Sequence, residues 1–209
     1  MSTSPPPRRG RPRDPERLQR VLEAAAAQFT TLGFDRTSID LVAQCSGVSK
    51  MTVYSYFPTK EALFEACISE RCNGLFDLFL TTTLDPAWPE AALLQIGRAF
   101  LRLMRDDKVV AMHRMMFASA ATHPELCQAF YLQGPQTAIA HLADYLAAAA
   151  AGGHLRIGDA NRAANQFLAL FLGAEHVAAL LGLALPSPAD DEAQLQANVG
   201  LFLRAHAAD

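Results

Sequence analysis

The chain has 209 residues, of which 51% are hydrophobic and 19% charged, enough apolar material for a sizeable core and too much for a disordered chain. Its net charge of −3 conceals an asymmetry: residues 1–60 carry nine Lys/Arg against five Asp/Glu (+4), and residues 61–209 carry nine against sixteen (−7). One end therefore suits a polyanion and the other does not, while the abundance of Ala and Leu favours an all-α fold.

Residues 1–13 read as a disordered basic arm with no apolar stretch of the signal-peptide kind, so a cytoplasmic protein is expected. Asp14-Pro15-Glu16 starts a first helix, with Leu18, Val21, Leu22, Ala25 and Phe29 along its buried stripe and Gly33 at its end. Thr37 with Asp40 has the form of a capping box for a short second helix through Ile39, Val42 and Ala43. Ser46-Gly47-Val48 breaks it, and Ser49 caps a third helix that stops before Pro58. Thr59 caps a fourth carrying Leu63, Phe64, Ala66, Cys67 and Ile68. Asp85-Pro86-Ala87-Trp88-Pro89 is a linker. Beyond it, Thr122-His123-Pro124-Glu125 has capping-box form and opens a helix to Ala151, where Gly152-Gly153 stops it. Asp159 caps a helix to about Leu183, and Ser187 caps the last, through Leu195, Val199 and Phe202. The total is about nine helices, three of them in a small basic domain with the fourth as its exit.

The informative stretch is residues 37–57. Two short helices around a glycine turn have the helix-turn-helix layout. Ile39, Val42, Ala43, Val48, Val53 and Phe57 form its inward set. The outward face of the second helix shows Lys50, Met51, Thr52, Tyr54, Ser55 and Tyr56: a cation, hydroxyls and a soft apolar tip, with no carboxylate. That is the chemistry of a helix meant for an anionic groove.

With Gly33-Phe34, Thr37, the Ala43…Gly47-Val48-Ser49 turn and Val53-Tyr54-Ser55-Tyr56-Phe57-Pro58-Thr59-Lys60-Glu61-Ala62-Leu63 in place, residues 14–68 resemble the DNA-binding domain of TetR-family regulators. The resemblance implies base-edge contacts from Lys50, Met51, Thr52 and Ser55, with Ser49 at the head of that helix, and phosphate contacts from Thr37, Ser38, Tyr54, Tyr56 and Lys60. The arm Arg8-Arg9-Gly10-Arg11-Pro12-Arg13 is similar to AT-hook segments, and both a minor-groove role and a plain solvated tail use the same charges.

Residues 69–209 are expected to form a ligand-binding and dimerisation domain. Residues 89–209 resemble the AefR-like subgroup through His123-Pro124-Glu125-Leu126, Phe130-Tyr131…Gly134-Pro135, Tyr145-Leu146, Gly153-His154-Leu155-Arg156 and Ala163-Ala164-Asn165-Gln166-Phe167. The resemblance implies that the last two helices pair with a second copy. Phe167, Phe171, Ala174, Ala178 and Leu181 make one candidate seam, and Leu195, Val199 and Phe202 the other; an ordinary intradomain core uses the same spacing. For a small-molecule effector the candidate lining is Met104, Met112, His113, Met116, Phe117, Phe130 and Tyr131, since methionine adapts to varied apolar shapes. Met115 is a further candidate on the middle helices, and His141 and His176 are, with His113, possible polar contacts that serve equally as structural histidines.

No nucleophile–base pair, metal-ligand spacing or phosphate loop is visible, so neither an enzyme nor a cofactor is expected. Cys45, Cys67, Cys72 and Cys127 lack C-x-x-C spacing and read as buried reduced thiols, with Cys67 and Cys72 as an alternative redox pair. The reading is a homodimeric, sequence-specific regulator, a repressor released from a palindromic double-stranded DNA operator by an apolar or amphipathic molecule. The alternatives are a redox-responsive or ligand-independent regulator, whether activator or DNA-organising protein.

Overall fold

A computed structural model describes residues 14–81, 84–183 and 186–208; the basic arm of residues 1–13 lies outside them, as do the side chains of residues 74–76 and 78–81. The helices run α1 Pro15–Leu32, α2 Ile39–Ser46, α3 Lys50–Tyr56, α4 Lys60–Thr81, α5 Pro89–Arg105, α6 Asp107–Ser119, α7 Pro124–Tyr131, α8 Thr137–Ala151, α9 Ala160–Ala169, α10 Ala174–Leu180 and α11 Pro188–Ala205. The fold is all-α. The one β-type pairing among the described residues is an isolated bridge between Leu155 and Ala207.

Most of the start signals act as their chemistry dictates. The Asp14 carboxylate accepts from Glu16 N–H with Pro15 in the first turn. Ser49 accepts from Thr52 N–H, Thr59 from Ala62 N–H and Asp159 from Arg162 N–H. Ser187 and Asp190 form a reciprocal capping box. Two expected caps differ. Ser38, not Thr37, caps α2, accepting from Leu41 N–H. At α7 the N-cap is His123 with no side-chain cap, and the Thr122 hydroxyl donates backward to Ser119 O.

Two breaks raise the helix number above the expected nine. Between α7 and α8 the chain widens into a π turn, Leu132–Gln136, containing Pro135. Proline brings no N–H to the helical ladder, and the Thr137 hydroxyl donates to Leu132 O across the widened turn at 2.8 Å. Between α9 and α10 the path bends by 62° as Gly173 turns extended. No single helix is long and apolar enough to cross a membrane, and this bent pair is the one combination with the composition for it.

The buried residues form two clusters. One joins α5, α8, α9 and α11 around Leu93, Ile96, Leu142, Leu146, Phe167 and Phe171. The other joins α1–α4 around Phe29, Phe34 and Phe64, and it takes in Met112, Met115 and Met116 of α6 and Leu126 of α7. The N-terminal helices are thus completed by side chains from the middle of the chain. At Gly97 of α5 an added Cβ would stand 2.6 Å from Leu195 and 2.9 Å from Phe171, so glycine sets how closely α5 meets α11. Arg98–Glu192 and Arg105–Asp191 ion pairs link the same two helices at 2.9 and 3.0 Å.

Candidate nucleic-acid interface and effector cavity

The helix-turn-helix is built on Gly47. Its φ of +65° is left-handed, and its N–H donates to Ala43 O and Gln44 O, closing α2 so that the chain reverses into α3. Ile39, Val42, Ala43, Val48, Val53 and Phe57 are all buried, which holds α3 against α1 and α2 with its other face outward. On that face Met51 is 81% exposed, well clear of the core, beside exposed Lys50, Tyr54 and Ser55. The Ser49 and Thr52 hydroxyls share a 2.8 Å hydrogen bond, and the Ser55 hydroxyl donates to Thr52 O. Tyr56 is half-buried, its hydroxyl donating to Asp14 O at 3.5 Å.

Three placements depart from the sequence reading. Thr37 is 2% exposed and its hydroxyl donates to Gly33 O, so that side chain is not on the surface. The Lys60 ammonium donates to Phe34 O at 2.8 Å, Thr37 O at 3.1 Å and Asp35 O at 3.4 Å, and sits 4.2 Å from the Phe34 ring centroid. Its charge is engaged by the α1–α2 connection rather than held free for a phosphate. The outward face is also less purely cationic than expected: Asp40 of α2 pairs with Lys50 at 2.6 Å, and that hydrogen bond raises the Lys50 pKa. Asp40 carried the signature of a helix-capping acid, so only its place in space reveals it as Lys50's partner.

Behind this unit lies a cavity of about 530 Å³. All seven expected lining residues meet there: Met104 from α5, Met112, His113, Met116 and Phe117 from α6, Phe130 and Tyr131 from α7. Ile68, Arg71 and Cys72 of α4, Gly134 and Pro135 of the π turn and Asn165 of α9 complete much of the wall. Met115 and His141 are not part of it; His176 is. Arg71 and Asn165 escaped the sequence reading because neither sits in an apolar or Met-rich run.

His113 Nδ1 and His176 Nε2 are 3.3 Å apart. Burial pushes His113 down to about 4, with His176 beside it. Burial, then Arg105, lowers His176. Both imidazoles are therefore neutral at physiological pH. The Cys67 and Cys72 thiols are protonated there too: burial pushes Cys67 up to about 12 and Cys72 up to about 11, which removes from this pair the thiolate that redox chemistry needs. Cys45 is exposed, against expectation.

α6 connects cavity to helix-turn-helix. Met112 and Met116 wall the cavity and also belong to the core shared with α1–α4. At the head of α7, just beyond α6, His123 hydrogen-bonds Asp35 at 2.9 Å and packs edge-on against Phe34. Of the candidate dimer-seam residues, Phe167, Phe171, Leu195, Val199 and Phe202 are buried inside the protomer, as in an ordinary intradomain core. Ala174 and Leu181 stay exposed and Ala178 is half-buried.

Residues 91–208 match the family described as "AefR-like transcriptional repressor, C-terminal domain". Residues 21–67 match "Bacterial regulatory proteins, tetR family". The chain belongs to the TetR family. This TetR-family chain is 29% identical over 153 residues to an uncharacterised HTH-type transcriptional regulator of Mycobacterium tuberculosis, covering 71% of the chain and 75% of the relative. Among solved structures it resembles a TetR-family regulator from Mesorhizobium loti, with a TM-score of 0.79, 26% identity and coverage of 94% of this chain and 100% of the other. It also resembles the flavonoid-responsive regulator FrrA, with a TM-score of 0.71, 33% identity and coverage of 93% and 98%. Like these relatives, the TetR-family chain is a DNA-binding transcriptional regulator and not an enzyme.

Proposed function

We propose that the protein is a cytoplasmic, homodimeric repressor that leaves a palindromic operator when an amphipathic small molecule fills the cavity. Residues 14–68 form the DNA-binding domain and residues 69–209 the effector and dimerisation domain. Lys50, Met51, Thr52 and Ser55 read base edges; Ser38, Ser49, Tyr54 and Tyr56 hold the backbone, and Lys60 and Thr37 brace the connection behind them. The observation that carries the reading is α6, whose Met112 and Met116 belong at once to the cavity wall and to the core under α3. A molecule that displaces α6 must shift that core, and the coupling is reciprocal: whatever lowers operator affinity is itself bound less tightly by the operator complex.

The dimer face in this reading is the apolar surface that the protomer leaves uncovered: Leu172, Val177, Leu181 and Leu183 around α10, with Leu201 of α11. Two copies would place their recognition helices in successive major grooves, about 34–36 Å apart for half-sites one turn apart.

The experiment is selection of bound sequences from random duplexes, followed by a search for compounds that release the selected operator. Similarity to a flavonoid-responsive protein makes hydroxylated aromatics the first to try. Ala169→Trp, at the cavity wall and outside both core clusters, should keep operator affinity and lose the response. Recovery of no shared palindrome, or equal release of wild type and Ala169→Trp, overturns the reading.

A further inference from the structure

The cavity wall is apolar except at a few points, chiefly Arg71, Asn165, His113 and His176, and of these Arg71 carries the charge. Arg71 of α4 lines it, half-buried, and no hydrogen bond or ion pair engages its guanidinium among the described residues. A guanidinium keeps its charge in any protein environment, and a charge beside an apolar surface is costly without a partner. His113 and His176 also line the wall. His176 is 8% exposed and its Nδ1 has no hydrogen-bond partner. No aspartate or glutamate is among the described lining residues. No carboxylate among the described lining residues answers a cation, whereas one fixed cation answers an anion.

We propose, on the effector-site reading above, that the cavity selects amphipathic organic anions: a ring-based apolar body whose carboxylate, sulfonate or ionised phenol pairs with Arg71, with a hydroxyl for the His113–His176 pair. The hydroxyl follows from the tautomers. If His176 Nε2–H donates to His113, its Nδ1 needs a donor; if His176 accepts, Nδ1–H needs an acceptor. A hydroxyl serves either case. Because burial keeps both imidazoles neutral, Arg71 alone supplies the charge that discriminates among ligands. Methionines on α5 and α6 mould the apolar remainder.

The test uses two fluorescent probes that differ by one charged group, 8-anilinonaphthalene-1-sulfonate and the neutral N-phenyl-1-naphthylamine, titrated against the full chain. Arg71→Met should weaken the sulfonate at least tenfold, equivalent to about 1.4 kcal/mol, and leave the neutral probe within about twofold. Arg71→Lys, which keeps the charge, should retain most of the sulfonate affinity. An aryl quaternary ammonium should fail to displace the sulfonate. If Ala169→Trp abolishes binding of both probes but Arg71→Met changes neither, the cavity binds ligands without reading charge, and this inference alone falls. If neither probe binds, or Ala169→Trp affects neither, the effector cavity falls with it. Matching melting temperatures for Arg71→Met and wild type separate lost recognition from lost folding.

Discussion

Lys60→Met isolates what the ammonium does at the foot of α4. The methionine keeps most of the aliphatic stem and removes three donors. Two of the three accepting carbonyls, Phe34 O and Thr37 O, take part in part-buried bonds, and the third, Asp35 O, is open to water. Hydrogen bonds to a charged group contribute about 1.5–3 kcal/mol each, and the cation over Phe34 adds about 0.5–1 kcal/mol. Freeing the lysine side chain returns up to about 2 kcal/mol of ordering entropy. Counting the two part-buried bonds and the full entropy return, the balance is a loss of about 1.5–5 kcal/mol, or roughly 3–20 °C in melting temperature for a chain of this size. Lys60→Arg should fall between, because a planar fork cannot meet three convergent carbonyls as a tetrahedral ammonium does. Thermal and urea denaturation followed by circular dichroism measure the loss. The reasoning is refuted if Lys60→Met is as stable as wild type while operator affinity drops on every sequence and the salt slope falls by about one, the signature of a lost phosphate contact.

Phe171→Glu should unfold the protomer, since it buries an unpaired carboxylate at a position 0% exposed. Leu181→Glu, at a position 71% exposed, should instead give a folded monomer with collapsed operator affinity, read by sedimentation and melting together; a dimeric Leu181→Glu protein discards the α10–α11 face. Acid should destabilise the protein through His113. Its folded pKa is lowered from 6.5 to about 4, so its contribution is whole above 6.5, shrinks as pH falls through that window and levels off below it, for a loss of at most about 3 kcal/mol. The stability difference between wild type and His113→Phe should shift in the variant's favour as pH falls from 6.5 to about 4, and parallel curves contradict the assignment.

Local signals in the sequence survived because their physics is local. Gly47 has to take a left-handed turn, Ser49 and Asp159 have to answer orphan N–H groups, and the inward set from Ile39 to Phe57 is fixed by helical period. The methionine lining was legible for the same reason, since residue type and spacing act together on one helix. The dimer seam was not. Periodicity at Phe167, Phe171, Leu195, Val199 and Phe202 states that a stripe is buried, and is silent on whether its cover is the same chain or another. Lys60, Thr37 and Asp40 were misplaced because each has a partner on a different element. Residue chemistry proposes a phosphate contact or a cap, and only the tertiary arrangement reveals the carbonyl or ammonium already there.

The sharing of Met112, Met115, Met116 and Leu126 with the α1–α4 core bears on how such regulators can be recombined. A chimera cut between residues 68 and 69 and fused to a foreign sensor would carry half of a hydrophobic contact and expose the matching face of Phe34 and Phe64. Its sensor would have to offer an equivalent methionine-rich helix and a partner for Asp35, now supplied by His123. On the proposed reading, operator specificity would be portable at α3, where the side chains face outward, while responsiveness would travel with the α6–α7 surface. Rewiring this protein to a new promoter calls for exchange of single residues on α3 and not of whole segments.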